Sequence, residues 1–299
     1  MSAYRFCRSD DIGLLVDALN HCWAPYFPDE PPMTPAAFKR SIHDLQVWCS
    51  SCMVAFSGSD PIGVLIGAKR PSGTLVHKIA VHPDHRRQGH GRHLLASLGS
   101  KLAILGPPRI VVEVPEALLP ARELFSASGY VHEAVLTDYV FHPTAHTTRR
   151  GGPGQREEDD VREVTDGRFV IPVTIDDLAA NGLLGEGHPQ VCWERSVETL
   201  TARKNDIAGL AVASDERIEA YLLYVACGED GTEIVSLRSL IEDGGARLKQ
   251  LLSRLRARGM GTFRFPKVHP AEMSKESLET LGFRPAGGHR LYAARARSD

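Results

Sequence analysis

Between Val76 and Leu95 an apolar, β-prone run turns into a helical pattern through a short basic loop, and few chain paths satisfy both ends. The run Val76-His77-Lys78-Ile79-Ala80-Val81 is broken at Pro83, because proline offers no amide hydrogen to a ladder. The loop that follows carries Arg86, Arg87 and Arg92 with glycines at 89 and 91. Leu94, Leu95, Leu98, Leu102 and Leu105 then recur at three-to-four spacing, one face of a helix. Strand, glycine-bearing basic loop and helix in that order build an anion site. The first amides of a helix lack intrahelical partners and carry partial positive charge. Glycine lets backbone approach a ligand closely. A phosphate or diphosphate is the natural guest.

The glycine order excludes two phosphate loops. The dinucleotide fingerprint needs three glycines in G-x-G-x-x-G order, and the nucleoside-triphosphate loop needs Gly-Lys-Ser/Thr. Neither is present; the stretch reads Arg86-x-x-Gly89-x-Gly91.

Around this segment the chain alternates legible elements. A first strand is expected over 4–8, and Asp10 or Asp11 caps a helix through Leu14, Leu15, Ala18 and Leu19. A proline- and aromatic-rich loop over 23–35 precedes a helix over 35–46. Strands over 52–56, 61–69 and 74–81 have the turn spacing of an antiparallel meander. After the helix at 90–105 come a strand at 109–114, a helix at 120–128 closed by Gly129-Tyr130, and a strand at 134–141. Residues 143–160, dense in glycine and charge, have little to bury and read as a linker.

The second half repeats the first. Helices over 176–184 and 193–203, strands over 207–213, 218–226 and 232–241, a helix over 246–258, a strand over 262–265, a helix over 274–281 and a strand over 290–294 follow the same order. Gly129-Tyr130 and Gly282-Phe283 lie 153 residues apart, which two copies of one unit explain. The copies differ at the loop: Glu242-Asp243-Gly244-Gly245-Ala246-Arg247 is shorter and lacks Arg-x-x-Gly-x-Gly. Its two carboxylates would repel a diphosphate.

With Ile79-Ala80-Val81-His82-Pro83 before it, Arg86-x-x-Gly89-x-Gly91 resembles the acetyl-coenzyme A signature of the GNAT superfamily of N-acetyltransferases. The element order over 4–142 is similar to that family as well. The resemblance implies an α/β fold of the α+β, GNAT-like kind: two tandem copies of a mixed, mostly antiparallel sheet flanked by helices. A first domain over 1–142 holds the acetyl-CoA site, and a degenerate copy over 161–299 has none. It also implies transfer of an acetyl group from acetyl-CoA to a primary amine of a small molecule or peptide. The alternative is a non-catalytic acyl-CoA-binding sensor. By resemblance, amides of Gln88, Gly89, His90, Gly91 and Arg92, with Arg86 and Arg87, hold the pyrophosphate. Ile79, Ala80 and Val81 run beside the pantetheine, and the Val81 amide is the oxyanion donor.

For the proton acceptor, His77 lies near where many relatives carry Glu, and its ordinary pKa suits neutral pH. Glu113 on the next strand is the second candidate. One departure is plain: where family members often place a Tyr acid and an earlier Asn, this chain has Phe125 and Leu118. Trp23, Tyr26, Phe27, Asp29 and Glu30 give the early loop a composition that suits a cationic amine. A Gly91→Glu change is expected to abolish coenzyme A binding. Removal of 160–299 is expected to leave an insoluble or inactive first half, through loss of a shared apolar interface.

Bulk properties limit the rest. At 299 residues two domains are expected. The net charge of −2 gives no bulk attraction to nucleic acid. No apolar run approaches a membrane span, so a cytoplasmic monomer or homodimer is expected. Six cysteines in such a chain are expected as thiols. Cys49-Ser-Ser-Cys52 has redox-pair spacing but leads into a strand, whereas a redox cysteine needs a helix N-terminus to lower its pKa. His82, His85, His90 and His93 raise a metal question, and with no closed ligand shell around them no metal is expected.

Overall fold

The computed structural model describes residues 2–142, 163–164, 168–184, 191–228 and 231–297. The expected linker at 143–160 lies outside the described residues. The chain forms two compact units: Met1–Ala134 with His289–Asp299, and Val135–Gly288.

The first unit contains β1 (Ser2–Phe6), β2 (Met53–Ser57), β3 (Asp60–Arg70), β4 (Gly73–Val81) and β5 (Arg109–Pro115). They are joined in the order β1-β2-β3-β4-β5, and β5 then pairs with the end of β13 (Arg284–Arg295). All pairings are antiparallel except β4 with β5. The helices are α1 (Ile12–Trp23), α2 (Pro35–Leu45), α3 (His90–Leu105) and α4 (Leu119–Ala127). Leu94, Leu95, Leu98 and Leu102 of α3 are buried among Met53, Leu65, Val76, Ile110, Val112, Phe125 and Tyr292. Leu105, expected on that face, is exposed because the helix ends there. Asp11 stands at the N-cap of α1 without capping it. Its carboxylate accepts instead from the Arg8 amide at 2.8 Å and from Arg5 Nη2 at 2.7 Å.

The second unit joins the last part of β6 (Val131–Phe141) to β12 (Phe263–Val268), β11 (Thr232–Ser239), β10 (Ile218–Ala226), β9 (Ala208–Ala213), β8 (Arg168–Pro172) and β7 (Glu163–Val164), in that order. Its helices are α5 (Ile175–Ala180), α6 (Val197–Ala202), α7 (Ala246–Ala257) and α8 (Lys275–Thr280). Again one pairing is parallel, β11 with β12. The strand order of the first unit is therefore repeated, with β6 in the place of β13. The sequence repeats and the compact units differ by one strand: each repeat's last strand completes the sheet of the other unit. β8, the counterpart of β1, is a strand beyond those expected, and the helix expected over 193–203 splits into a 3-10 turn at Trp193–Arg195 and α6.

The second unit buries an ion pair. Arg195 and Glu272 side chains are 1% and 6% exposed. Arg195 donates to both Glu272 oxygens at 2.5 and 2.7 Å and to the Lys267 carbonyl at 2.9 Å. Removing one partner of such a pair leaves a buried charge uncompensated. Glu272→Gln should therefore lower unfolding free energy by about 3–5 kcal/mol, read as a fall in the urea midpoint. An unchanged midpoint would show that water reaches Arg195.

Candidate active site

β4 carries a bulge. Ile66 pairs with Lys78 and Gly67 with Val76, which leaves His77 as the extra residue. Bulges re-aim side chains and recur beside active sites. Beyond it, the His82 amide donates to the Ile62 carbonyl at 2.9 Å. Alternation along an antiparallel ladder then turns the amides of Ile79 and Val81 away from β3. They face the β5 side, where parallel pairing stops: the register holds only Thr74 with Ile110 and Leu75 with Val111. β5 continues to Pro115, paired on its other edge with β13. Among the described residues, no strand pairs with the peptide-like edge of β4 that carries the Ile79 and Val81 amides. His77 and Glu113 lie on the two strands that bound this gap, both half-buried.

The gap leads to the start of α3. Gly89 is the N-cap with φ +88°, and a Cβ there would meet no atom within 4 Å. The first helical bond runs from the His93 amide to the Gly89 carbonyl, so the amides of His90, Gly91 and Arg92 have no intrahelical acceptor. Arg87 is held at φ +60°, a conformation that is uncommon outside glycine and that clusters at functional sites. Arg86, Arg87, Gln88 and Arg92 are exposed. Arg86 is tied down: its Nε donates to the Tyr26 hydroxyl and its guanidinium lies 4.1 Å from the Tyr26 ring centroid. Tyr26 in turn donates to the Val81 carbonyl at 2.5 Å. The early loop is thereby fastened to the end of β4, a contact between residues 55 apart in sequence that has no local signal.

The side-chain position of Gly91 faces α4. A Cβ there would lie 3.1 and 3.3 Å from the Leu124 methyl groups. Gly91→Glu therefore strikes α4 and the packing of α3 upon it, and it is a poor probe of anion binding. Phe125 is fully buried, with the Tyr130 ring edge-on to it at 5.2 Å.

The loop histidines form pairs and contacts with Tyr4. His21 stacks on His82 at 4.6 Å, His85 and His90 rings are 6.4 Å apart, and Tyr4 lies 3.8 Å from the His93 ring. His90 is buried, its Nδ1 sits 2.6 Å from the Tyr4 hydroxyl, and its Nε2 is buried with no hydrogen bond. Burial first, and then the imidazoles of His85 and His93, hold its pKa below the ordinary value of 6.5. The unfolded chain therefore binds this proton at higher pH than the folded one. The contribution of neutral His90 to stability is complete above pH 6.5 and is lost as pH falls through the folded pKa. Urea unfolding at pH 7.5 and 5.5 should show a loss at the lower pH that is smaller in His90→Phe. Equal losses would assign the pH dependence elsewhere.

Cys49 and Cys52 stand in no thiolate-stabilising setting. Burial raises both thiols, Cys52 strongly, and pushes neighbouring Cys7 up to about 12. A low-pKa nucleophile is the opposite case.

In the second unit the equivalent loop closes upon itself. It spans 240–245, against 82–89 in the first. Parallel pairing again stops early, after Glu233 with Arg264. The N-cap is again a glycine, Gly245, at φ +81°. Here, however, the Asp243 carboxylate accepts from the Gly245 amide at 2.9 Å and from the Arg247 amide at 2.8 Å. Arg247 Nε is taken by Glu219 at 2.9 Å, which also binds Arg168. An internal carboxylate occupies the helix N-terminus that an outside anion would need. The acidic loop acts by occupation as well as by charge.

The sequence of this first unit matches a known family. Residues 15–130 fit the model described as "Acetyltransferase (GNAT) family". That match covers most of the first copy. The whole chain has the tandem GNAT fold. It superposes on a tandem GNAT protein from the clavulanic acid biosynthesis pathway with a TM-score of 0.64, 17% identity and 100% coverage of both chains. A GCN5-related N-acetyltransferase from Sphaerobacter thermophilus gives 0.64, 14% identity, and coverage of 99% of this chain and 96% of that one. A putative acetyltransferase from Pyrococcus horikoshii gives 0.56 and 13% identity, with 99% and 90% covered. At these identities the likeness is one of fold. The GNAT domain model ends at the Gly129-Tyr130 pair and spans the bulge, the unpaired β4 edge and the start of α3. Among the described residues, no helix is long and apolar enough to cross a membrane.

Proposed function

We propose that this chain transfers an acetyl group from acetyl-CoA to a primary amine of a small molecule or peptide. The observation that carries this is the unpaired β4 edge, whose Ile79 and Val81 amides lead to the open N-terminus of α3. An extended chain of amide groups ending in a diphosphate fits such a surface. Acetyl-CoA supplies, when bound, an acetyl group already activated as a thioester. The amides of Gly89 to Arg92, with Arg87 and Arg92, hold the anionic end. The Ile79 and Val81 amides orient the arm as a neighbouring strand would. The Val81 amide is aligned to donate to a carbonyl oxygen, the kind of fixed donor that favours acyl transfer. His77 or Glu113 takes the proton that the amine gives up. With Phe125 at the family's acid position, the departing thiolate takes its proton from solvent or from another side chain. We place this activity in the cytoplasm, in a monomer or homodimer.

Calorimetry with coenzyme A and thiol release from acetyl-CoA across a panel of amines test this reading. Binding followed by amine-dependent release supports it. Tight binding with no release on any amine supports the second reading, an acyl-CoA sensor, which Phe125 favours. Absence of binding overturns both.

A further inference from the structure

The structure already contains a bound ammonium group. Lys78 follows the bulge on β4, and its Nζ lies 4.0 Å from the Trp23 ring centroid and 3.9 Å from Glu30 Oε2. Trp23 Nε1 donates to the same Glu30 oxygen at 3.0 Å, so ring and carboxylate are held as one receptor. Phe27 stacks on Trp23 at 4.5 Å. Leu19, Pro31, Pro32 and Met33 complete a cavity of about 30 Å³, room for about one water-sized group. The wall is anchored: Asn20 donates to the Met33 carbonyl at 2.9 Å and accepts from its amide at 2.7 Å. An aromatic face with a carboxylate at its edge attracts a cation, and apolar walls around it suit an alkyl chain.

We propose that Trp23, Phe27 and Glu30 form the recognition subsite for a primary alkylammonium acceptor, and that the Lys78 ammonium fills it until the acceptor displaces it. Calling the ligand an acceptor rests on the acetyltransfer reading; the ammonium site itself does not. Glu30 is half exposed, so an outside amine reaches the carboxylate directly. The flexible lysine stem lets the ammonium swing away without moving β4. Lys78 is thus a specificity-determining residue that sets how tightly an acceptor must bind to enter.

Calorimetric titration of the full chain with n-butylammonium chloride, without coenzyme A, tests this. Lys78→Met should bind the probe at least about ten-fold more tightly than the unaltered chain, because the internal competitor is gone and Glu30 has lost its neighbouring cation. Lys78→Gln should move the same way, which guards against a variant that fails to fold. Adding Glu30→Gln to Lys78→Met should return affinity to the starting level. Equal affinity in the unaltered chain and both Lys78 variants would overturn the proposal. So would a double variant that keeps the gain. Neither outcome depends on coenzyme A, so failure here is distinct from failure of the acetyltransfer reading.

Discussion

Changing Arg87 to Asp should lower coenzyme A affinity by at least about 100-fold with no loss of fold, close to the 2.7 kcal/mol that such a factor represents. Two effects add. The first is loss of a charge-assisted contact, about 1.5–3 kcal/mol. The second is a new carboxylate two residues before an N-cap glycine, where the second unit places Asp243 before Gly245. There the carboxylate binds two helix-terminal amides. Asp accepts the left-handed backbone of position 87 more readily than most residues, so the thermal midpoint should hold. Arg87→Ala is the comparison, since it removes the charge without supplying the internal anion, and about ten-fold loss is expected. Calorimetry at fixed salt reads both. If Asp and Ala variants bind coenzyme A equally well, α3's N-terminus is not where the diphosphate lies.

Ending the chain at Gly288 should abolish coenzyme A binding by a site more than 170 residues away in sequence. The deleted residues pair with β5 from His289 opposite Pro115 to Arg295 opposite Arg109. Tyr292 belongs to the first unit's core, and Arg290 binds Glu116 at 2.8 Å. β5 shares only two register pairs with β4, so without β13 it becomes a poorly held edge strand, prone to aggregation. A fragment over 1–160 should fail for the same reason. The cause is a missing strand within the first unit's own sheet, a more specific one than a shared apolar interface. The expected readout is insoluble protein, or soluble protein with no heat of coenzyme A binding and no slow-exchanging amides in β5. A 1–160 fragment that binds as tightly as the full chain would show that β13 is dispensable.

Much of this molecule can be read from local signals. Leu94, Leu95, Leu98 and Leu102 announce α3 because a buried helical face needs that spacing. Gly89 and Gly245 announce its start and that of α7, since both take positive φ at the N-cap. Other features left no readable trace. Arg168–Pro172 is a short run next to a charged segment, and its strand character comes from pairing with β9. The bulge at His77 depends on which β3 residue each β4 residue meets. Asp243 reads as a repelling charge, and only its geometry shows it to be a cap.

The amino-acid order alone determined most of the element succession, the internal repeat and the difference between the two loops, because helix ends, turns and apolar periodicity are written within a dozen residues. Tertiary structure alone decided that the end of β13 completes the first unit's sheet and the last part of β6 the second's, and that Tyr26 pins Arg86. It alone showed that Gly91 faces Leu124 and that Lys78 lies against Trp23 and Glu30. Those choices are made between segments distant in the chain, where strand edges and buried surfaces select partners and no short-range pattern records the outcome.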